Sequence, residues 1–237
     1  MINILLVGHG RMGQNVERLA ASHGCQVVGI VTDRSPKESL VSGNFGVVDV
    51  AIDFSVAAAV KPNLKTMASR GWNVVIGTTG WQEDHRECQA VVEKAGTGVL
   101  AAANFSIGVH VFRLIVEEAA RRFASMDDVG AWIHESHHSA KKDAPSGTAL
   151  MIKSAIEKAG YARHVDVAST RAGSIPGTHS VGFDAPAELV TLTHQVRDRA
   201  VFAHGALEAA KWLKGRRGWF SMTDLVESQK SEVKSQK

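Results

Sequence analysis

The feature that most restricts the fold lies in the first thirty-odd residues. An apolar run from Ile2 to Val7 is closed by Gly8, as in a strand buried on both faces. Met12, Val16, Leu19 and Ala20 then take up helical spacing, and residues 26–31 (Gln-Val-Val-Gly-Ile-Val) form a second apolar run ending at Asp33. Strand, tight turn, helix and strand at this length predict a βαβ unit with parallel strands. The turn reads Gly8-His9-Gly10-Arg11-Met12-Gly13, a G-x-G-x-x-G between strand and helix. Gly8 suits the tight turn, Gly10 lets the backbone approach a pyrophosphate, and Gly13 permits close helix-to-strand packing; the helix N-terminus offers N–H groups to the anion. Dinucleotide binding is the expectation, with a ligand-free glycine turn as the alternative.

Strand candidates recur at 48–53, 72–77 and 98–103, separated by helical patterns around 56–69 and 81–95. The units stop after residue 103, which argues for a doubly wound, Rossmann-like parallel sheet rather than a barrel. Beyond it the pattern predicts a helix over 107–123, a strand over 128–136, a helix over 147–158, and extended segments near 165–170, 179–184 and 188–196. The β-branched, partly alternating last segment suits an antiparallel sheet. The expected class is therefore α/β with a second α+β domain. The expected domains are 1–104 for the dinucleotide, 105–200 for the substrate, and 201–237 as a return to the first domain plus a mobile tail from Ser228.

With 44% hydrophobic and 22% charged residues, the 237-residue chain should bury roughly 70–75% of its unfolded surface. Lys and Arg number 27 against 24 Asp and Glu, and the basic residues are scattered, so small anions are expected as partners rather than nucleic acid. Cys25 and Cys88 have no CxxC spacing, which fits a reducing cytoplasm. The first apolar run is too short for a signal-peptide core or a membrane span.

Several loops fall where a parallel sheet presents its carboxyl edge. Asp33, twenty residues after Gly13, can accept ribose hydroxyls, and Arg34 could clasp a 2′-phosphate, so NADH and NADPH are both open. Gly77-Thr78-Thr79-Gly80 suits the nicotinamide end; Asp53-Phe54-Ser55 and Asn104-Phe105-Ser106 occupy equivalent positions. The densest chemistry lies in His134–Thr148, with three imidazoles, two amines and two carboxylates. On a strand His134 and His138 share one side and His137 the other, and no H-E-x-x-H is present, so no metal is expected. Ser146 is a candidate N-cap, and the amides of Gly147 and Thr148 could receive a carboxylate beside His137, His138 and Lys141. His137 or Lys141 could deliver a proton.

The segment Glu135-Ser-His-His-Ser-Ala-Lys-Lys-Asp-Ala-Pro-Ser-Gly-Thr-Ala149 resembles the E-x-H-H-x-x-K-x-D-A-P-S-G-T-A signature of the 4-hydroxy-tetrahydrodipicolinate reductase (dihydrodipicolinate reductase) family. Similar motifs follow in the family's order, including Asn104-Phe-Ser-Ile-Gly108, Arg171-Ala-Gly-Ser-Ile-Pro-Gly-Thr-His179 and Phe202-Ala-His-Gly-Ala206. The resemblance implies NAD(P)H-dependent reduction of a cyclic dicarboxylate in the diaminopimelate route to lysine, usually by a homotetramer built through the second domain's sheet. It further implies a proton-donating pair of His137 and Lys141, and substrate contacts from His138, Lys141, Ser146, Gly147 and Thr148. The cofactor side would comprise Gly8, Arg11, Met12, Gly13, Asp33, Arg34, Gly77, Thr79 and Phe105, with Asp53, Phe54, Thr78 and Asn104 beside them. The connection from Asp33 to the 47–53 strand is shorter than in many members, leaving the adenine side more open. The alternatives are a dehydrogenase of another amino-acid-derived substrate and a non-catalytic sensor of nicotinamide redox state.

Overall fold

In the computed structural model, residues 1–35 and 39–235 are described. The chain divides into two compact units, residues 1–106 together with the chain from Ala200 onward, and residues 107–199.

The first unit is a six-stranded sheet in which every pairing is parallel. Its strands are β1 (Ile2–Val7), β2 (Cys25–Val31), β3 (Val50–Asp53), β4 (Asn73–Ile76), β5 (Gly98–Ala101) and β10 (Gly218–Phe220), in the order β10-β5-β4-β3-β1-β2. The chain runs from β1 outward to β2, then returns to β1's other side with β3, so the order reverses at β1. That reversal opens a crevice at the strands' carboxyl ends. β3, β4 and much of β1 are buried on both faces, which explains their unbroken apolar sequence.

Helices α3 (Ala57–Ser69) and α4 (His85–Ala95) send Val60, Leu64, Met67, Cys88 and Val92 into one core with Leu5, Val7, Ala51, Val74 and Val99. Helices α1 (Arg11–Ala20) and α7 (Ala200–Leu213) pack on each other, and α7 crosses β3, β4 and β5. Asn73 fastens this arrangement. Its side-chain amide donates to the carbonyls of Leu213 (2.7 Å) and Arg216 (3.0 Å), and its carbonyl accepts the Gly98 N–H (2.7 Å).

The second unit contains α5 (Ile107–Phe123), α6 (Gly147–Lys158) and a four-stranded sheet of order β7-β6-β8-β9, from β6 (Gly130–His137), β7 (Val165–Arg171), β8 (Thr178–Ala185) and β9 (Glu188–Gln195). The expectation of an antiparallel sheet holds for β6 with β8 and β8 with β9, but β6 and β7 are parallel. The physical reason is the crossover through α6, which returns the chain to the starting edge in the same direction.

Between β2 and β3 the described residues contain one short helix, α2 (Ser39–Ser42). Arg70 holds it down, donating to the carbonyls of Leu40, Val41 (both 3.1 Å) and Gly43 (3.0 Å). The segment expected as a tail from Ser228 instead continues α8 (Met222–Ser235), anchored by buried Met222, Leu225 and Val226. Gln236 and Lys237 lie outside the described residues.

Candidate active site

The glycine turn shows why each glycine stands where it does. Gly8 has φ +91°, and a Cβ there would lie 2.4 Å from the Phe54 carbonyl oxygen; one on Gly13 would lie 2.3 Å from that of Gly8. Both positions are fixed by packing. Gly10 differs, because a Cβ there would meet nothing within 4 Å. Space is left open where α1 begins, with Gly10 as its N-cap. A cleft of about 680 Å³ opens there, lined by Gly8, Gly10, Asp33, Arg34, Phe54, Ser55 and Asn63, among others. The bare glycine backbone and the helix N-terminus fit a pyrophosphate. Exposed Asp33 and Arg34 lie along the same cleft and suit a ribose or its phosphate.

The structure separates the other expected cofactor residues by role. Arg11 is exposed and Met12 half-buried in the first turn of α1, whereas Gly13 is buried beneath it. Asp53 is wholly buried. Its carboxylate accepts from Ser55 N–H (2.9 Å), Ser55 Oγ (2.6 Å), Thr78 Oγ1 (2.9 Å) and Asn63 Nδ2 (3.2 Å). Asp53 and Thr78 therefore brace the loops at the strand ends instead of facing the cleft. Gly77 leaves room for the Phe54 ring, since a Cβ would lie 2.0 Å from it. Thr79 is exposed. Phe105 is buried, edge-on to Phe54, and Asn104 Oδ1 accepts the Ser106 N–H (2.8 Å). His9, a variable position of the glycine motif, also lines the cleft, as do Gln14, Thr32 and Leu40, to which, as to Asn63, no motif points.

In the second unit the alternation of β6 turns Ile133, Glu135 and His137 inward and leaves His134 exposed. Glu135 is fully buried. Its Oε1 accepts from Arg171 Nη2 (2.6 Å), Ser169 Oγ (2.7 Å) and Ser146 N–H (3.0 Å). Burial works to raise its pKa, but these hydrogen bonds outweigh it and hold the carboxyl at about 2. Oε2 lies 2.7 Å from His137 Nδ1, a close approach whose angle is poor for a hydrogen bond, and 3.8 Å from His179 Nε2. Burial lowers the pKa of His137, with Glu135 opposing and Lys141 and Arg171 reinforcing the shift. Burial and the neighbouring His137 push His179 down to about 4. Both imidazoles are neutral at neutral pH. Gly177, at φ +146°, backs the first: a Cβ would sit 3.2 Å from His137 Nε2.

Donor atoms of Glu135, His137 and His179 all lie within 4.8 Å of one another, a convergence that the strand-face reading of the histidines alone misses. Arg171 already occupies this carboxylate with a positive charge. Glu135, Arg171 and His179 stand up to 44 residues apart in sequence, and only pairing of β6 with both β7 and β8 joins them.

The loop after β6 carries the remaining candidates. Ser146 caps α6, its Oγ accepting the Ala149 N–H (3.2 Å). Lys141 Nζ donates to both carboxylate oxygens of Asp143 (2.7 and 2.9 Å), and the exposed Gly147 gives its N–H to the same carboxylate. Thr148 and His138 are half-buried alongside in sequence, and Lys142 is exposed. A lysine and a helix-start amide thus already grip a carboxylate.

Family models cover nearly the whole chain: one described as dihydrodipicolinate reductase, N-terminus, matches residues 2–105, and one described as dihydrodipicolinate reductase, C-terminus, matches 108–226. The chain belongs to the dihydrodipicolinate reductase family. Among its relatives, the 4-hydroxy-tetrahydrodipicolinate reductase of Stenotrophomonas maltophilia (strain R551-3) is 41% identical over 92% of this chain and 94% of its own. That of Xanthomonas axonopodis pv. citri (strain 306) is 41% identical over 95% and 98%. A solved dipicolinate-bound dihydrodipicolinate reductase from Paenisporosarcina sp. TG-14 shares the fold, with a TM-score of 0.77, 22% identity, and coverage of 93% of this chain and 97% of that one.

Proposed function

We propose that the chain reduces 4-hydroxy-tetrahydrodipicolinate to tetrahydrodipicolinate and water with NADPH or NADH, in the diaminopimelate route to lysine. The relatives that carry this activity in their names support it. The observation that carries the reading is the carboxylate of Asp143 held by Lys141 and the Gly147 amide, standing in for a carboxylate of the substrate.

In this reading the cleft beside Gly10 holds the pyrophosphate, with Asp33 and Arg34 at the ribose and Thr79 towards the nicotinamide. Arg11 and Met12 supply first-turn amides. When bound, the dihydronicotinamide supplies a hydride to an electron-poor ring carbon. Lys141, Ser146, Gly147, Thr148 and His138 bind the dicarboxylate and orient the ring, Lys141 as point charge and the amides as directed donors. The overall balance takes up one proton, which leaves in the water. His137 and Lys141 are the groups assigned to deliver it. Glu135 fixes the His137 ring from its Nδ1 side, and two incoming carboxylates favour the imidazolium that burial disfavours.

A homotetramer and a cytoplasmic location complete the proposal. Leu189 and Val190, 51% and 39% exposed on the edge strand β9, support assembly through that sheet. Light scattering should return four times the chain mass. Among the described residues, no helix is long and apolar enough to cross a membrane. The decisive assay mixes the protein with NADPH or NADH and freshly generated substrate. Loss of absorbance at the nicotinamide band is expected, and no oxidation with either cofactor would overturn the assignment.

A further inference from the structure

The short 3-10 turn that follows α1 (Ala21–His23) and the first half of α7 meet across a pair of imidazoles in the first unit. His23 Nε2 lies 2.6 Å from His204 Nδ1. Glu208 stands four residues further along α7, on the same helical face as His204. Donor atoms from the three side chains all fall within 4.8 Å of one another. None of the three lines the cleft beside Gly10.

The surroundings fix which nitrogen of His23 is free to coordinate. Its Nδ1 sits 2.9 Å from the Leu19 carbonyl oxygen, which can only accept, and 3.1 Å from Ser22 Oγ, which donates to the same carbonyl (2.8 Å), so a proton on Nδ1 satisfies this end of the ring. Nε2 then keeps its lone pair, aimed at His204. An imidazole anchored by one N–H to a backbone carbonyl, with the other nitrogen bare, is the usual state of a metal-bound histidine. Glu208 is also paired with Lys211, whose Nζ lies 2.6 Å from its Oε1, and this partly exposed lysine must yield the carboxylate to a bound cation.

We propose that His23, His204 and Glu208 form a surface site for zinc or a neighbouring first-row divalent cation, with water completing the coordination. Two imidazoles and one carboxylate suit zinc, copper, nickel or cobalt, whereas magnesium and calcium need more oxygen ligands. Ligand atoms about 2.0–2.1 Å from a tetrahedral ion stand about 3.3 Å apart. The two nitrogens must therefore separate by about 0.7 Å from their present 2.6 Å, a small side-chain rotation for an exposed His204. Without an ion, the pair is held by a His204 Nδ1–H donating to His23 Nε2. The ion takes that proton's place, and His204 carries its proton on Nε2 instead. Because residues 23 and 204 belong to distant parts of the chain, the bound cation cross-links the turn after α1 to α7.

The test uses full-length, tag-free protein stripped with chelator and titrated with ZnCl2 or CoCl2 near neutral pH. One equivalent should bind, cobalt should give the visible absorption of a four-coordinate site, and zinc should raise the thermal midpoint. His204→Ala and Glu208→Gln should each weaken binding by about 10–100-fold or more. His179→Gln disables the other three-residue cluster and should leave the affinity unchanged. Absence of stoichiometric binding overturns the proposal, and so does binding that survives His204→Ala but disappears in His179→Gln.

Discussion

At His137, burial and the nearby cations favour the neutral ring, while the Glu135 carboxylate 2.7 Å away favours the charged one. Burial prevails in the free protein. If this imidazole is the acid, kcat/KM, which reports the free enzyme, should fall as pH rises through a value below 6.5, the ordinary value for histidine. The corresponding inflection in kcat should lie higher, because the bound dianion stabilises the imidazolium. His137→Gln should remove this inflection and lower kcat by about 10²–10⁴-fold; an unchanged pH profile would assign the proton to Lys141. Asp143 allows a second check. Its carboxylate competes for Lys141 and the Gly147 amide, so Asp143→Asn should tighten binding of pyridine-2,6-dicarboxylate by about two- to fivefold, the scale of an exposed ion pair. Weaker binding in this variant would mean that Asp143 orients Lys141 rather than competing for it.

At the level of elements, α7 rests on the strand-end loop through Gly205. A Cβ there would lie only 1.7 Å from the Phe105 carbonyl oxygen. Gly205→Ala should therefore push the helix off the loop and cost about 3 kcal/mol, read as a lowered urea midpoint with unchanged slope. The parallel strands were legible in the sequence because burial on both faces writes an unbroken apolar run, as in Val74-Val75-Ile76. Helices α5 and α6 were legible to their end residues from periodicity and, for α6, from the Ser146 cap. The parallel partnership of β6 with β7 was not, since local sequence records a strand's faces but not its neighbour. Nor was α8: its polar composition resembles a tail, and three buried side chains suffice to seat it. The same limit applies to the site. The glycine turn and the Lys141–Thr148 loop are contiguous and could be recognised, whereas the convergence of Glu135, Arg171 and His179 exists only once three strands are aligned.

For the whole molecule, two buried groups make stability depend on acidity in the same sense. His179 has a folded pKa of about 4 against 6.5 for the ordinary side chain, so the unfolded chain binds more protons between these values. Stability is lost as pH falls through that window, by up to about 3 kcal/mol. Glu135, at about 2 against 4.5, adds a further loss below pH 4.5. The thermal midpoint should decline from near pH 6.5 downward, and His179→Gln should flatten the upper part of the decline; a midpoint constant between pH 7 and pH 4 would contradict the burial of His179. The route of the chain carries another consequence. The sheet that begins at Ile2 receives its last strand only at Gly218–Phe220, after the whole of residues 107–199 has been laid down. On a ribosome, the inner portion has all its strands in hand first, while the nucleotide-binding portion waits with Asn73 and the Phe105 carbonyl lacking their α7 contacts until the final stretch emerges. Nascent chains stalled before residue 200 should thus expose the outer portion to protease, and shield the inner one.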